Sequence, residues 1–254
     1  MRKLLLLLCF PLIGLAQNED SLFIKKMSDD ILKNGKAYDL LQHLTKKIGG
    51  RLAGSPQYNM AEAWGAKTLK ELGADTVFLQ ECLVPNWKRG KGDFAYLITK
   101  NSKKQLSMAA LGNSNGSQKP ITAPLLYVES FEELEQRKNE VKGKIVYFNK
   151  GFDATNIRPF MSYGQTGVYR RNGASAAAKY GAIGVIIRSL SEATDNHAHT
   201  GMMVYNDSFP KIPAISIGIE DANFFSKNVA KNNAYQVTML THGIMYKDTI
   251  NHSV

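Results

Sequence analysis

The chain has 254 residues, of which 44% are hydrophobic and 21% charged, a composition that excludes general disorder and fits one large domain or two small ones. The formal net charge is +10, and it becomes +8 without Arg2 and Lys3, with 30 basic against 22 acidic residues. The lysines are scattered, and no basic stripe alternates with aromatic side chains. The charge therefore indicates a solvated basic surface and not a nucleic-acid partner.

The first sixteen residues have the three parts of a secretory signal peptide. A basic start at Arg2 and Lys3 precedes an apolar run at 4–15, and small residues lead to a cleavage position after Ala16. The run is about a dozen residues, shorter than the roughly 20 needed to cross a bilayer, and no later segment is more apolar. The sequence thus predicts export to the cell exterior or the periplasm, with no membrane span.

Cysteine is scarce in the exported part. Only Cys82 remains after the predicted cleavage, so an intramolecular disulfide and a cysteine zinc cage are both excluded.

Helices and strands alternate in the first half of the chain. Apolar residues at helical spacing predict a helix over 20–47. Ser55 as N-cap, with Pro56 at the first helical position, predicts a second helix that ends at Gly73. Strands are predicted at 76–84, 94–99 and 105–111.

The segment 112–120, rich in glycine, asparagine and serine, is the best candidate for a domain boundary. A helix over 130–141 follows, with a capping box formed by Ser130 and Glu133. The glycines that frame an alanine-rich helix are read as close packing of that helix on a sheet. The other elements predicted here are strands at 125–128, 144–148, 183–187 and 235–240, a half-buried strand marked by Ile215, Ile217 and Ile219, and helices at 169–180 and 221–230.

Two sequence patterns suggest catalytic or metal chemistry. Residues 112–116 match the G-x-S-x-G pattern of serine hydrolases, but no helix is predicted after Ser114, which favours a surface loop over a nucleophile. His197 and His199, with Asp195 and Asp207 nearby, would suit zinc if both imidazoles lay on one side of a strand, although a loop pair is more often a surface feature. The isolated His43, His242 and His252 are expected to be structural or exposed.

Proline stiffens two further segments, VPNW at 84–87 and PKIP at 210–213. Either segment could line a groove, and the structural alternative is that the prolines set the angle at which a strand begins.

An ordered set of segments covers nearly all of residues 37–254. The set comprises IGGRLAGSP at 48–56, the helix around Trp64, ELG at 71–73, VPNW at 84–87, RG at 89–90, GKIV at 143–146, YR at 169–170, GA at 173–174, AAK at 177–179, GA at 181–182, IRS at 187–189, HTG at 199–201 and PKIP at 210–213. Together they resemble the secreted di-zinc exopeptidases of the carboxypeptidase Q type. The resemblance implies an α/β fold, with an incomplete zinc-exopeptidase α/β domain and an inserted β-rich (α+β) protease-associated domain.

The implied organisation has four parts: a signal peptide at 1–16, the start of the peptidase domain at 17–117, the protease-associated domain at 118–238 and a return to the peptidase domain at 239–254. In this family two zinc ions share and ionise a water, held by a His-x-Asp pair, a bridging Asp, further Asp and His ligands and a Glu-Glu pair with the general base. This chain has no His-x-Asp, and its Glu-Glu is the capping pair at 132–133. No catalytic or metal residue is therefore carried over to any position here, and the metal ligands are expected beyond Val254.

The sequence predicts the N-terminal part of a secreted zinc exopeptidase that acts on small peptides. Two zinc ions are expected in the complete enzyme and none on this chain, which is predicted to be inactive alone; a homodimer is compatible with this hypothesis. Trp87, Tyr169, His199 and Pro210 are the candidates for a substrate groove or an interface. The alternative from another class is a non-catalytic protease-associated module that binds peptides or proteins.

Overall fold

The computed structural model describes residues 16–99, 101–229 and 235–254; most of the predicted signal peptide, residues 1–15, lies outside them. Two short turns of other helix types complete the regular structure, a π-helix at His43–Ile48 and a 3-10 helix at Lys138–Glu140. The helices are α1 (Ala16–Asn34), α2 (Ala37–Gln42), α3 (Pro56–Glu71), α4 (Phe131–Gln136), α5 (Pro159–Ala178) and α6 (Ile219–Asn228). The strands are β1 (Gln80–Lys88), β2 (Phe94–Ile98), β3 (Lys103–Gln105), β4 (Met108–Ala110), β5 (Ile121–Val128), β6 (Ile145–Phe148), β7 (Gly184–Arg188), β8 (Ala214–Ile217), β9 (Gln236–Leu240) and β10 (Ile244–Ser253).

The described residues up to Arg51 form a compact unit of their own. The single helix predicted over 20–47 is divided here, because α1 ends at Asn34 and α2 begins at Ala37, after Gly35 and Lys36. The guanidinium of Arg51 donates hydrogen bonds to the carbonyls of Leu44 and Gly49, at 3.2 and 2.8 Å, and so caps the carboxyl end of the π-helix.

The second unit, from Leu52 onward, opens with the helix that the sequence predicts. The Ser55 hydroxyl accepts a hydrogen bond from the backbone N–H of Tyr58 at 3.2 Å, with Pro56 at the first helical position. Gly73, with φ of 92°, follows the carboxyl end, a conformation that glycine adopts without steric cost. Both ends of the predicted helix are therefore confirmed.

A two-stranded antiparallel sheet of β1 and β10 lies against α3. The prediction of a strand at 76–84 is wrong at both ends, because β1 begins at Gln80 and continues past Pro85 to Lys88. The pairing shifts between Val84 and Asn86, so Pro85, which has no N–H to donate, lies in an irregular position of the ladder.

The other strands of the described residues form one sheet in the order β3-β2-β9-β5-β6-β7-β8-β4. Its centre, β5 to β8, is parallel, and the outer pairs are antiparallel. The single strand predicted at 105–111 is instead the two short strands β3 and β4, at opposite ends of this order. Since Leu106 and Ser107 alone separate them, the sheet is curled and its two edges approach one another.

Strands on both sides of the segment 112–120 belong to this sheet. The chain reaches β2 and β3 before that segment, and β5 to β9 follow it. The domain limits stated above remain a prediction.

Apolar side chains cover both faces of the curled sheet. β6 illustrates this, because Val146 and Phe148 join the cluster under α5, whereas Ile145 and Tyr147 join the cluster under α6. Central parallel strands are buried on both faces in this way. The half-buried strand predicted around 215–219 is wrong for the same reason: β8 is buried throughout, and Ile219 begins α6.

The helix α5 begins at Pro159, ten residues before the predicted start at 169. Pro159 is a good first residue for a helix, but Gly164 and Gly167 interrupt the helical pattern of the sequence. The predicted close packing is confirmed at Gly173, where an added Cβ would lie 3.1 Å from the Phe148 ring.

The N-cap predicted at Ser130 is also confirmed, while the reciprocal bond of the predicted capping box goes to Glu129 and not to Ser130. The Ser130 hydroxyl accepts from the backbone N–H of Glu133 at 3.1 Å, and the Glu133 carboxylate accepts from the backbone N–H of Glu129 at 2.8 Å. The helix itself is shorter than predicted, because α4 ends at Gln136 and a 3-10 turn follows.

Replacing Gly173 by valine is expected to lower the free energy of unfolding by about 1–3 kcal/mol, because the added methyl groups would overpack Phe148 and Ile187. Gly164→Val is the matched control in the same helix, since nothing lies within 4 Å of its added Cβ. Urea titration should show no loss of stability for the control. Equal losses for the two variants would contradict this account of the α5 packing.

Candidate functional site

Trp87 lies at the end of β1 and is 4% exposed. Its indole Nε1 donates a hydrogen bond to the carbonyl of Ser114 at 2.9 Å. The guanidinium carbon of Arg89 lies 5.0 Å from the centre of the indole ring. The same guanidinium donates to the carbonyl of Ala110 at 2.6 Å. Trp87 and Arg89 are therefore held against the edge of the curled sheet.

Ser114 is 1% exposed, so the prediction of a surface loop is wrong at this residue. Its hydroxyl accepts from the backbone N–H of Ala214 at 2.8 Å, while its carbonyl accepts from Trp87. No helix follows it, as a nucleophile elbow would require. The serine therefore joins β1 to β8 and has no geometry for catalysis.

The turn at 199–202 forms a second wall beside Trp87. The Thr200 hydroxyl donates to the carbonyl of Ala110 at 2.9 Å, the same oxygen that Arg89 contacts. The backbone N–H of Gly112 donates to the Gly201 carbonyl at 2.8 Å. A Cβ at Gly201 would lie 2.7 Å from the guanidinium carbon of Arg170, so a larger residue here would displace the end of that side chain.

These two walls enclose a cavity of about 410 Å³, here named the Trp87 cavity. It is mainly apolar, and Arg89 supplies the one charged side chain among the residues that line it. The lining residues are Leu52, Ala53, Pro85, Trp87, Arg89, Gly112, Asn113, Thr200, Gly201 and Met202. Its volume lies in the range of about 300–1,000 Å³ that is usual for small-ligand pockets.

His197 and His199 lie in an irregular segment and have separate partners, so the arrangement with both imidazoles on one side of a strand is not formed. The backbone N–H of His199 donates to the Ser189 hydroxyl at 2.7 Å, and its ring meets the Tyr163 ring edge-on at 5.9 Å. His197 is exposed, and its Nδ1 lies 3.4 Å from a carboxylate oxygen of Asp195. The segment is irregular and not a strand, which separates the two imidazoles.

Burial lowers the pKa of His199, and the nearby positive charge of Arg170 lowers it further. Its imidazole is therefore neutral at pH 7. The Nδ1 atom is buried without a hydrogen-bond partner in the described part of the chain.

The remaining two predicted site residues lie away from the cavity. Tyr169 lies on α5 and faces the core, where its ring centre is 4.6 Å from that of Phe131. Burial raises the pKa of its hydroxyl, and the negative charge of Glu132 raises it further. Pro210 is exposed in the loop before β8. Of the four candidates, Trp87 lines the cavity and His199 directly precedes Thr200 in its wall.

Two of the isolated histidines have structural partners. The Asp93 carboxylate accepts from the backbone N–H of His242 at 2.9 Å and lies 3.0 Å from its imidazole Nδ1. The backbone N–H of His252 donates to Glu62 on α3, and the imidazole lies 3.3 Å from the same carboxylate. Asp93, just before β2, thus holds the segment that connects β9 to β10, and Glu62 holds β10 to helix α3.

Arg89, Thr200 and Met202 were not among the site residues predicted from the sequence. The cue that was available was the position of Arg89 two residues after Trp87. Arg89 and Thr200 both contact the carbonyl of Ala110, which is 21 positions from Arg89 and 90 from Thr200. No local pattern reports such a contact.

No three histidine, cysteine, aspartate or glutamate side chains within residues 16–99, 101–229 and 235–254 lie close enough together to hold a metal ion. Over the same residues, no helix has both the length and the apolar character needed to cross a bilayer.

The expectation that the metal ligands lie beyond Val254 stays a prediction. Val254 itself follows β10 and is 42% exposed. Its side chain lies beside α3, since a Cβ added at Gly65 would be 3.7 Å from the Val254 Cγ2. The last residue therefore packs on the helix that also supports the sheet of β1 and β10.

The PA domain model matches residues 108–224. The chain is 36% identical to carboxypeptidase Q from Xenopus laevis over 213 residues, which are 82% of this chain and 43% of that protein. The chain therefore spans less than half the length of this relative.

Solved structures share the fold. A peptidase M28 precursor from Shewanella amazonensis superposes with a TM-score of 0.82 at 28% identity, covering 92% of this chain and 53% of that one. A zinc aminopeptidase from Bacillus subtilis shares the fold at a TM-score of 0.50 and 19% identity, covering 84% of this chain and 45% of that one.

Ser114→Ala is expected to lower the free energy of unfolding by about 1–3 kcal/mol, because the buried N–H of Ala214 loses its acceptor. Ser117→Ala is the control, since the Ser117 hydroxyl is buried without a partner in the described residues and its removal should not destabilise the protein. Chemical denaturation measures both changes.

An active-serine probe should leave the wild-type protein unlabelled; labelling at Ser114 would restore the serine-hydrolase alternative.

Proposed function

The chain belongs to the carboxypeptidase Q type of M28 peptidases, and from this premise we propose that it forms part of a secreted zinc exopeptidase that hydrolyses small peptides. The observation that carries this proposal is the 36% identity to carboxypeptidase Q over 82% of the chain. The M28 precursor that superposes at a TM-score of 0.82 supports the same class of enzyme.

In this proposal the chain supplies the opening of the peptidase domain at 17–117, the protease-associated domain at 118–238 and the start of the return at 239–254. The strands β1 and β10 pair with each other outside the curled sheet and pack on α3, which supports assigning both to the peptidase domain. The signal peptide pattern at 1–16 supports an extracellular or periplasmic location.

Two zinc ions are proposed for the complete enzyme, by analogy with its relatives. The donor groups of the described residues do not fit such a site, because no three histidine, cysteine, aspartate or glutamate side chains among them lie close enough together to hold a metal ion. We therefore place the zinc ligands and the hydrolytic step outside the described residues, in sequence beyond Val254.

A second candidate function is peptide or protein binding by the protease-associated domain without catalysis. The Trp87 cavity, to which this domain contributes the turn at 199–202, favours binding, because a preformed apolar pocket with one fixed cation is suited to a ligand whether or not hydrolysis follows. The coding sequence after codon 254 discriminates the two candidates: a His-x-Asp segment there supports the enzyme, and unrelated sequence supports the module.

The purified 254-residue protein, supplied with zinc, is expected to leave small dipeptides uncleaved, because the described residues provide no zinc site. A protein extended through the following coding sequence is expected to cleave them, and a chelator should abolish that cleavage. Chromatography of the products measures both.

Chelator-sensitive cleavage by the 254-residue protein would overturn the placement of the active centre. An extended protein that holds zinc and cleaves no peptide would overturn the peptidase proposal itself.

A further inference from the structure

The Trp87 cavity has a distinct chemical character. Its wall is formed mainly by apolar groups, among them Leu52, Pro85, Trp87 and Met202, and Arg89 is the one charged residue that lines it. Leu52 and Met202 are 48% and 55% exposed, so this apolar surface is open to a ligand. We propose that the cavity binds the free carboxylate end of a short peptide whose last residue is apolar, with Arg89 as the carboxylate ligand.

Arg89 is fixed in place and still has donors available. The indole ring of Trp87 and the carbonyl of Ala110 hold its guanidinium, and the contact with Ala110 is its one hydrogen bond among the described residues. A guanidinium has five N–H donors in a planar fork that matches a carboxylate. Several donors therefore stay free for a ligand.

The nearest protein carboxylate does not occupy these donors. Asp93 acts on Arg89 electrostatically, opposing the effect of burial on the pKa of Arg89. Its Oδ1 accepts from the backbone N–H of His242 and lies 3.0 Å from the imidazole Nδ1, and it makes no ion pair with Arg89 in the described part of the chain. A ligand carboxylate would supply the counter-charge that Arg89 lacks.

The charge of the lining selects one end of a peptide. No carboxylate lines the cavity, so a peptide ammonium group would find no partner there. A free α-carboxylate would meet Arg89, and the side chain of the last residue would pack on Pro85 and on the exposed side chains of Leu52 and Met202. The carbonyl of Ala110 fixes both Arg89 and Thr200, so these two parts of the wall are already ordered before a ligand arrives.

That the ligand is a peptide rests on the proposed function, but binding itself needs no catalytic centre. The test is therefore made on the 254-residue protein with a chelator present, which prevents zinc-dependent hydrolysis. The probes are N-acetyl-alanyl-leucine with a free carboxylate and the same dipeptide as its C-terminal amide. Calorimetry measures binding, and Trp87 fluorescence serves as a second readout.

The free acid is expected to bind, and the amide at least about ten-fold more weakly, because a hydrogen-bonded charge pair is lost. Arg89→Gln should weaken binding of the free acid by a similar factor and leave the affinity for the amide unchanged. Lys91→Gln is the matched control. This substitution removes the same positive charge two positions from Arg89, at an exposed residue that does not line the cavity. It should bind the acid as the wild type does.

Met202→Glu keeps the proposal testable if the Arg89 variant does not fold. The Met202 side chain is exposed at the cavity. A carboxylate added there should weaken binding of the free acid and leave the affinity for the amide unchanged.

Equal affinity for acid and amide, no binding of the acid, or equal effects of Arg89→Gln and Lys91→Gln would each overturn the proposal. Octanoate binding as tightly as the peptide acid would overturn the assignment to a peptide. Loss of peptidase activity in an extended protein that still binds the acid would instead count against the proposed function alone.

Discussion

Ser114 joins the two sheets of the second unit through two hydrogen bonds. Its hydroxyl accepts from the backbone of β8, and its carbonyl accepts from the indole of Trp87 at the end of β1. Both acceptors are used in a buried setting, where an unmade hydrogen bond costs about 1–3 kcal/mol. The position of Trp87, the stacking of Arg89 on it and the shape of the cavity between β1 and the turn at 199–202 all depend on this connection.

Local signals in the sequence predicted much of the fold. The caps at Ser55 and Ser130 are short-range hydrogen bonds between neighbouring residues, and the structure has both. The start of α5 and the double burial of β8 were not predictable in this way. Gly164 and Gly167 weaken the helical pattern near the start of α5, and the burial of a strand depends on which elements cover its two faces. These properties belong to the assembled sheet and not to any one segment.

The same distinction applies to the candidate site. Trp87, in the proline-stiffened segment VPNW, and His199 were predicted as groove candidates, and they lie in or beside two walls of the cavity. Arg89 became a site residue through its stacking on Trp87 and its bond to Ala110, which is 21 positions away. Ser114 matches a catalytic pattern by sequence yet serves as a connector, because a motif predicts chemistry only in the strand–turn–helix context that strains it. Pattern and context must therefore be judged together.

The fixed guanidinium of Arg89 in an apolar cavity is proposed to give this chain a role in recognising peptides that is separate from hydrolysis. The most direct measurement is a crystal structure of the 254-residue protein with N-acetyl-alanyl-leucine and a chelator. The account predicts both carboxylate oxygens within hydrogen-bond distance of the Arg89 guanidinium and the leucine side chain against Pro85, Leu52 and Met202. A peptide bound elsewhere, or bound in this cavity with its carboxylate directed away from Arg89, would contradict it.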